Sequence, residues 1–208
     1  MEILQEIIEL LQRGRAPKVK ELVTKALEEG VKPQVILEDS LLAGMSVVGD
    51  KFRKNEVFVP EVLIAARAMN AGVDILRPYL IAEGITTKGT AVLGTVKGDL
   101  HDIGKNIVKV LLESYGFEVI DLGKDVEPEK VVECAKENRC KLVGLSALMT
   151  TTVASMEETI KLLKQADSTI TVVVGGAVLT EEYSKMINAD AYCPDAMAMV
   201  RFAESFYS

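Results

Sequence analysis

Tryptophan is missing from this 208-residue chain, and histidine occurs once. Aromatic residues make up only 5%, which leaves few platforms on which nucleic-acid bases could stack. The three cysteines, Cys134, Cys140 and Cys193, are odd in number and lack C-x-x-C spacing. That pattern excludes a disulfide framework and a zinc-thiolate site, and fits free thiols, buried or half-buried, in a reducing compartment. Positive charge is in deficit, 24 Lys and Arg against 31 Asp and Glu, for a net charge of −7. An acidic surface repels phosphate backbones and anionic bilayers, so neither nucleic acid nor a membrane is an expected partner. No apolar run reaches the roughly 18 residues of a membrane span. The opening MEILQEIIELLQ is acidic and amphipathic, without the basic start of a signal peptide, and the expected location is the cytoplasm.

Hydrophobic residues at 49% are ample for a packed core,. Two halves show different periods. Up to about residue 82 the apolar residues recur at helical spacing. Ile3, Ile7, Ile8 and Leu11 mark a first helix, and Val19, Leu22, Val23, Ala26 and Leu27 a second. Pro33 suits the first turn of a third, which carries Val35, Ile36, Leu41, Leu42, Met45 and Val48,. Pro60 opens a fourth with Val62, Leu63, Ala66, Met69, Val73 and Leu76. Short loops make neighbours antiparallel, so residues 1–85 are expected to form a four-helix bundle. The polar stretch 83–88 is the expected linker.

Beyond it, β-branched runs at Thr90–Val96, Phe117–Leu122, Leu142–Leu145, Ile170–Val174 and Ala189–Tyr192 alternate with helical patterns near 104–115, 127–137, 153–166, 181–188 and 195–206. Five strand–helix repeats over 86–208 predict an α/β domain with a doubly wound, five-stranded parallel sheet. Such sheets bind ligands beyond the carboxyl ends of their strands. The residues that follow the strands are Gly98–Gly104, Ser146-Ala147-Leu148, Gly175-Gly176 and Asp195-Ala196.

The only histidine, His101, lies in Asp99-Leu100-His101-Asp102-Ile103-Gly104. A metal-binding imidazole gains basicity and a fixed tautomer when its other nitrogen donates to a carboxylate, and Asp99 is placed for that. By itself the segment also fits a strand-end histidine capped by a neighbouring carboxylate. Gly104 is separated from Ser146-x-Leu148 by residues 105–145, and Leu148 from Gly175-Gly176 by residues 149–174. Alone, each of these is ordinary turn chemistry.

Together, D-x-H-x-x-G, S-x-L and G-G at these spacings resemble the fingerprint of the cobalamin-binding domain. That domain is shared by methionine synthase, the glutamate and methylmalonyl-CoA mutases, and the corrinoid proteins of methylotrophic methyltransferase systems. The run Gly94–Val108 and the segment Val119-Ile120-Asp121-Leu122-Gly123 are similar to the methyltransferase branch. So are Gly44-Met45-x-x-Val48-Gly49-Asp50-x-Phe52 and Phe58-Val59-Pro60-Glu61, which look like that branch's helical cap.

The resemblance implies a helical cap over 1–85 and a Rossmann-like cobalamin-binding domain over 86–208, with the 83–88 linker as the hinge between them. It implies cobalamin or a related corrinoid, bound base-off, with His101 as the lower axial ligand of cobalt and the metal ligand of the chain. Asp99 would hold the ring proton. The serine that supports this aspartate in the family falls at Thr152, which keeps a hydroxyl of different shape. The displaced nucleotide tail would run along Ser146, Leu148, Gly175 and Gly176, with Gly98, Asp102, Ile103, Gly104, Thr150 and Ala196 as further cofactor contacts. Phe58 is the candidate over the methyl-bearing face, although an aromatic before Pro60 also fits a hydrophobic staple in the bundle. Met45, Met69 and Met149 fit core filler.

The implied function is that of a methyl carrier, a subunit that is not an autonomous enzyme. A substrate-specific corrinoid methyltransferase would place a methyl group on cobalt(I). A second methyltransferase would remove it from methyl-cobalt(III) to tetrahydrofolate or coenzyme M, and a reductive activator would rescue oxidised cobalt. A cobalamin-dependent sensor is the alternative, and a mutase subunit or an ordinary nucleotide-binding protein is disfavoured by the helical module and by the lack of G-x-G-x-x-G and P-loop motifs.

Overall fold

The computed structural model describes residues 2–83 and 87–208. The chain divides into two compact units, residues 1–87 with 113–115 and residues 88–112 with 116–208. The boundary expected between 85 and 86, and the centre of the expected hinge, lie outside the described residues.

The first unit is helical: α1 (Glu2–Gln12), α2 (Ala16–Glu28), α3 (Pro33–Ile36), a π-helical turn (Leu37–Leu42), α4 (Ala43–Arg53) and α5 (Val59–Ala82). Proline stands in the first turn of α2, α3 and α5, where its missing N–H costs nothing. The expected third helix is therefore one helical path through α3 and α4 with a π turn inside it. The cause is legible in the apolar spacing. Ile36 and Leu41, five apart, are both fully buried. Regular helical spacing would put Ser40 where Leu41 packs. Ser40 is buried too, and its hydroxyl donates to the Ile36 carbonyl at 2.5 Å. Helix α5 lies close to its neighbours because its inner face is small. A methyl group on Gly72 would come within 2.8 Å of Leu41 and 3.2 Å of Val19. Met45 and Met69 are buried core residues.

The second unit carries β1 (Thr90–Thr95), α6 (Ile103–Ser114), β2 (Glu118–Asp121), α7 (Pro128–Glu137), β3 (Leu142–Ser146), a 3₁₀ turn (Thr150–Thr152), α8 (Val153–Ala166), β4 (Thr171–Gly175), α9 (Glu181–Met186), β5 (Ala191–Tyr192) and α10 (Ala196–Phe206). All strand pairs are parallel, in the order β2-β1-β3-β4-β5. This is the expected doubly wound sheet. Strands β1, β3 and β4 are apolar and buried along nearly their whole length, as parallel strands covered on both faces must be. Strand β5 is shorter than its apolar run. Ala189 donates to the Ser184 carbonyl, which spends that residue on ending α9. Cys140 and Cys193 are buried and Cys134 is half-buried.

No helix among the described residues is long and apolar enough to cross a membrane.

Candidate functional site

The chain leaves β1 toward β2 on one side, then crosses back to β3 on the other. At such a reversal of strand order an open α/β sheet has its ligand crevice at the carboxyl edge. Residues 96–102 fill one side of it. Val96 still belongs to the sheet, bridging to Val126 and donating to the Ser146 carbonyl at 3.1 Å. Gly98 then turns with φ +83°, a conformation glycine adopts without a Cβ penalty. Its amide is held by the Asp125 carboxylate at 2.7 Å. The Asp125 amide in turn donates to the Asp99 carbonyl at 3.0 Å.

This turn delivers the Asp99 carboxylate into the protein, where it is fully buried. One carboxylate oxygen accepts the His101 amide at 3.0 Å and the His101 ring Nδ1 at 2.8 Å. The other accepts the amides of Leu148 at 2.7 Å and Met149 at 3.2 Å, and lies 3.0 Å from the Thr152 hydroxyl. That hydroxyl is also 2.8 Å from the Met149 carbonyl, so its single proton serves two acceptors. Burial pushes the Asp99 carboxyl upward. The amides of His101 and Leu148, the His101 ring and the Thr152 hydroxyl pull it down further, and the net result lies well below the ordinary carboxylate range,.

An ionised carboxylate only accepts, so in the neutral ring Nδ1 carries the proton and Nε2 keeps its lone pair. The His101 side chain is about half exposed while its aspartate partner is fully enclosed. Among the described residues no three His, Cys, Asp or Glu side chains gather around a point that could hold a metal ion. The arrangement suits a single donor atom to a metal whose other ligands come from elsewhere.

Beside this pair lies a cavity of about 280 Å³ between the sheet and helices α6 and α10. Five of the expected cofactor contacts line it: Gly104, Ser146, Gly175, Gly176 and Ala196. Its size is at the lower end for a small-molecule site, about 300 Å³, and suits an extended tail better than a macrocycle. Two glycines are set by close backbone approach. A Cβ on Gly175 would stand 3.0 Å from the Cys193 carbonyl oxygen, and one on Gly176 1.8 Å from that of Ala147. Gly104 differs, because a Cβ there would meet nothing within 4 Å. Protein packing alone does not require glycine at 104.

The remaining expected residues separate. The Leu148 side chain is exposed, and its contribution to the Asp99 cage is its backbone amide. Thr150 is exposed and is not one of the residues that line the cavity. Asp102 starts α6 by accepting the Asn106 amide at 2.8 Å, and Ile103 is exposed. Phe58, in the other unit, precedes α5 and is 62% exposed. The staple reading is thereby corrected, since an exposed ring is not packed in the bundle core. What fixes the entry to α5 is the Glu61 carboxylate, which accepts the Phe58 amide at 2.9 Å. Met149 is also corrected. It is half-buried beside the site and contributes an amide to Asp99.

Sequence reasoning missed the backbone donors, because an amide has no side-chain signature. It missed Asp125 for a different reason, since an exposed loop aspartate has many roles. It also missed Lys105, which lines the cavity with its stem while its nearly buried ammonium pairs with Asp121 at 2.5 Å and Asn106 at 2.9 Å. Burial pushes the Asp121 carboxyl up. Lys105, the Gly123 amide and Lys109 outweigh this and hold it below its ordinary value.

A doubly wound sheet with a half-exposed imidazole at its switch point and a narrow slot beside it defines a ligand-binding α/β domain,. Comparison with known families agrees. A B12 binding domain model matches residues 89–202 and a second B12 binding domain model matches residues 3–77. The chain is 42% identical to the dimethylamine corrinoid protein 2 of Methanosarcina mazei over 98% of its own length and 96% of that protein's. It is 41% identical to trimethylamine corrinoid protein 1 of the same organism over 86% of this chain and 85% of that one. Among solved structures it resembles the methanol:cobalamin methyltransferase complex MtaBC of Methanosarcina barkeri, with TM-score 0.88 and 31% identity over 99% of this chain and 80% of that chain. The chain belongs to the family of B12-binding corrinoid proteins.

Proposed function

We propose that this protein is the corrinoid-carrying methyl shuttle of a methyltransferase system. His101 Nε2 is its lower axial ligand to cobalt, and the corrinoid is held base-off. The observation that supports this most directly is the pairing of His101 Nδ1 with the buried Asp99 carboxylate at 2.8 Å. That pairing leaves Nε2 as the ring's acceptor, on the half-exposed side chain. The relatives' names, dimethylamine and trimethylamine corrinoid protein, support a role in methylamine-type systems. A bound corrinoid supplies a cobalt centre that takes up and releases a methyl group.

The residues divide the work. His101 would hold the cobalt through Nε2 and supply electron density to it. Asp99 fixes the tautomer and raises the donor's basicity. Thr152 and the Leu148 and Met149 amides keep Asp99 ionised and immobile. Gly104, Ser146, Gly175 and Gly176 hold the displaced tail in the slot. The helical unit, with Phe58 exposed on it, is the surface that partners engage. Those partners are a substrate-specific corrinoid methyltransferase, a second methyltransferase acting on tetrahydrofolate or coenzyme M, and a reductive activator, all in the cytoplasm.

His101→Ala tests the ligand. Apoprotein mixed with hydroxocobalamin should give the base-off, histidine-on visible spectrum in the wild type. The variant should give a different base-off spectrum, about 10–100-fold weaker binding and a shifted cobalt(II)/cobalt(I) midpoint potential. A spectrum and potential identical to wild type would remove His101 from the metal.

A further inference from the structure

Glycine is an unusual choice for the middle of a central strand, where it weakens the strand and often marks a close approach. Gly144 occupies that place in β3. The register pairs it with Leu93 on β1 and Val173 on β4, two residues inside the row formed by Thr95, Ser146 and Gly175. Leu93, Gly144 and Val173 all line the cavity. A Cβ on Gly144 would come within 2.6 Å of Leu93 Cδ2 and 3.6 Å of Met199 Cε. The missing side chain is therefore what makes the inner end of the slot.

Among the described residues, the side chains lining the cavity around Gly144 are apolar. Leu93, Val108, Val173 and Met199 are hydrocarbon or thioether side chains on β1, α6, β4 and α10. The backbone of Gly144 is engaged in the ladders of β3 with both neighbours. Lys105 contributes its stem, since its ammonium is turned to Asp121 and Asn106, neither of which lines the cavity. The polar lining residues sit farther out, and the nearest of them, Tyr192 on β5, pairs with Val174, one step outside Val173. Ser146 is level with Gly175, and Cys193 and Asp195 lie in the loop between β5 and α10, with Asp195 capping the Ala198 amide at 2.7 Å.

We infer that Gly144 is a specificity-determining residue. It opens the inner slot to the terminal base of the corrinoid tail, and the apolar walls there select a benzimidazole-class base over a purine. A purine would bury an exocyclic amine and ring nitrogens without partners, and each unpaired buried polar group is costly. A dimethylbenzimidazole presents hydrocarbon edges to the same walls. The inference rests on the corrinoid reading of the site.

The test is a visible-spectrum binding titration of the full-length apoprotein with three corrinoids. One carries dimethylbenzimidazole, one carries adenine as the lower base, and the third, cobinamide, has no nucleotide at all. Wild type should bind the benzimidazole form about tenfold or more tighter than the adenine form. Gly144→Val should bring the benzimidazole form down to the affinity of cobinamide, with cobinamide binding unchanged as the check on folding. Gly144→Ala, which only pushes Leu93 into the slot, should fall between. Equal wild-type affinities for the two bases would overturn the selectivity, a comparison that needs no variant. Tight benzimidazole binding by both variants would overturn the role of Gly144. Failure of wild type to bind any of the three would instead count against the corrinoid reading itself.

Discussion

Gly176→Ala should cost more stability than any other one-methyl change in the sheet unit. Two faults coincide there. The residue has φ +137°, a conformation that L side chains rarely adopt. Its new Cβ would stand 1.8 Å from the Ala147 carbonyl oxygen and 2.8 Å from the carbonyl carbon. Both are backbone atoms, so no rotamer change relieves the clash, and the ends of β3 and β4 must part. That tie includes the Ala147 amide, bonded to the Gly175 carbonyl at 3.2 Å. The next two residues are Leu148 and Met149, whose amides hold Asp99. A loss of about 3–5 kcal/mol is expected. In a chain of this size 1 kcal/mol moves Tm by about 2–4 °C, so the melting point should fall by roughly 10 °C in thermal circular dichroism. Gly104→Ala is the contrasting case, with φ outside the positive region and nothing near the new methyl. At the start of α6, alanine should hold or slightly raise Tm while weakening corrinoid binding, because the methyl enters the slot. A wild-type melting point for Gly176→Ala would show that the strand ends are not held as close as described.

These two glycines mark how far the sequence could be taken. The alternation of apolar runs and helical periods was enough for a five-stranded parallel sheet, because buried parallel strands and amphipathic helices leave distinct patterns. The family resemblance carried by D-x-H-x-x-G, S-x-L and G-G was enough to bring Asp99, His101 and Thr152 to one network and Gly104, Ser146, Gly175 and Gly176 to one slot. The five-residue step from Ile36 to Leu41 was visible as well, yet an α-helical period was imposed on it and the π turn was lost. What could not be seen was the part made by backbone. The Leu148 and Met149 amides exist at every non-proline residue, and only the fold aims two of them at one carboxylate. The same holds for Gly144, whose meaning depends on which residues stand opposite it across two strand pairings. Phe58 shows the reverse limit. An aromatic before a helix-starting proline has two ordinary uses, and burial alone separates them.

Asp99→Asn should damage the site more than its near-identical shape suggests. One carboxylate oxygen accepts from the His101 amide and ring, and the other from the Leu148 and Met149 amides and the Thr152 hydroxyl. An asparagine has one acceptor oxygen. If that oxygen faces His101, its NH₂ group confronts two backbone amides that can only donate. If it faces Leu148, the NH₂ group confronts Nδ1–H, and the imidazole must change tautomer. Either way buried donors lose their partner, at about 1–3 kcal/mol each, and the summed cost should be about 3–5 kcal/mol. The pH dependence identifies the cause. In the folded protein the carboxyl titrates well below its ordinary value, so its ionised form is favoured by folding. That contribution is complete above the unfolded value of about 4, and it is lost as pH falls from there through the lowered folded value. Wild type should therefore lose stability on acidification below about pH 4 more steeply than Asp99→Asn, and the two denaturant midpoints should converge. In visible spectra of the cobalamin-loaded proteins, the variant should bind about 10–100-fold more weakly. Thr152→Val, which removes one of five donors and leaves the carboxylate, should show a smaller part of both effects. Parallel acid profiles for wild type and Asp99→Asn would mean that this carboxylate is not held ionised by its cage.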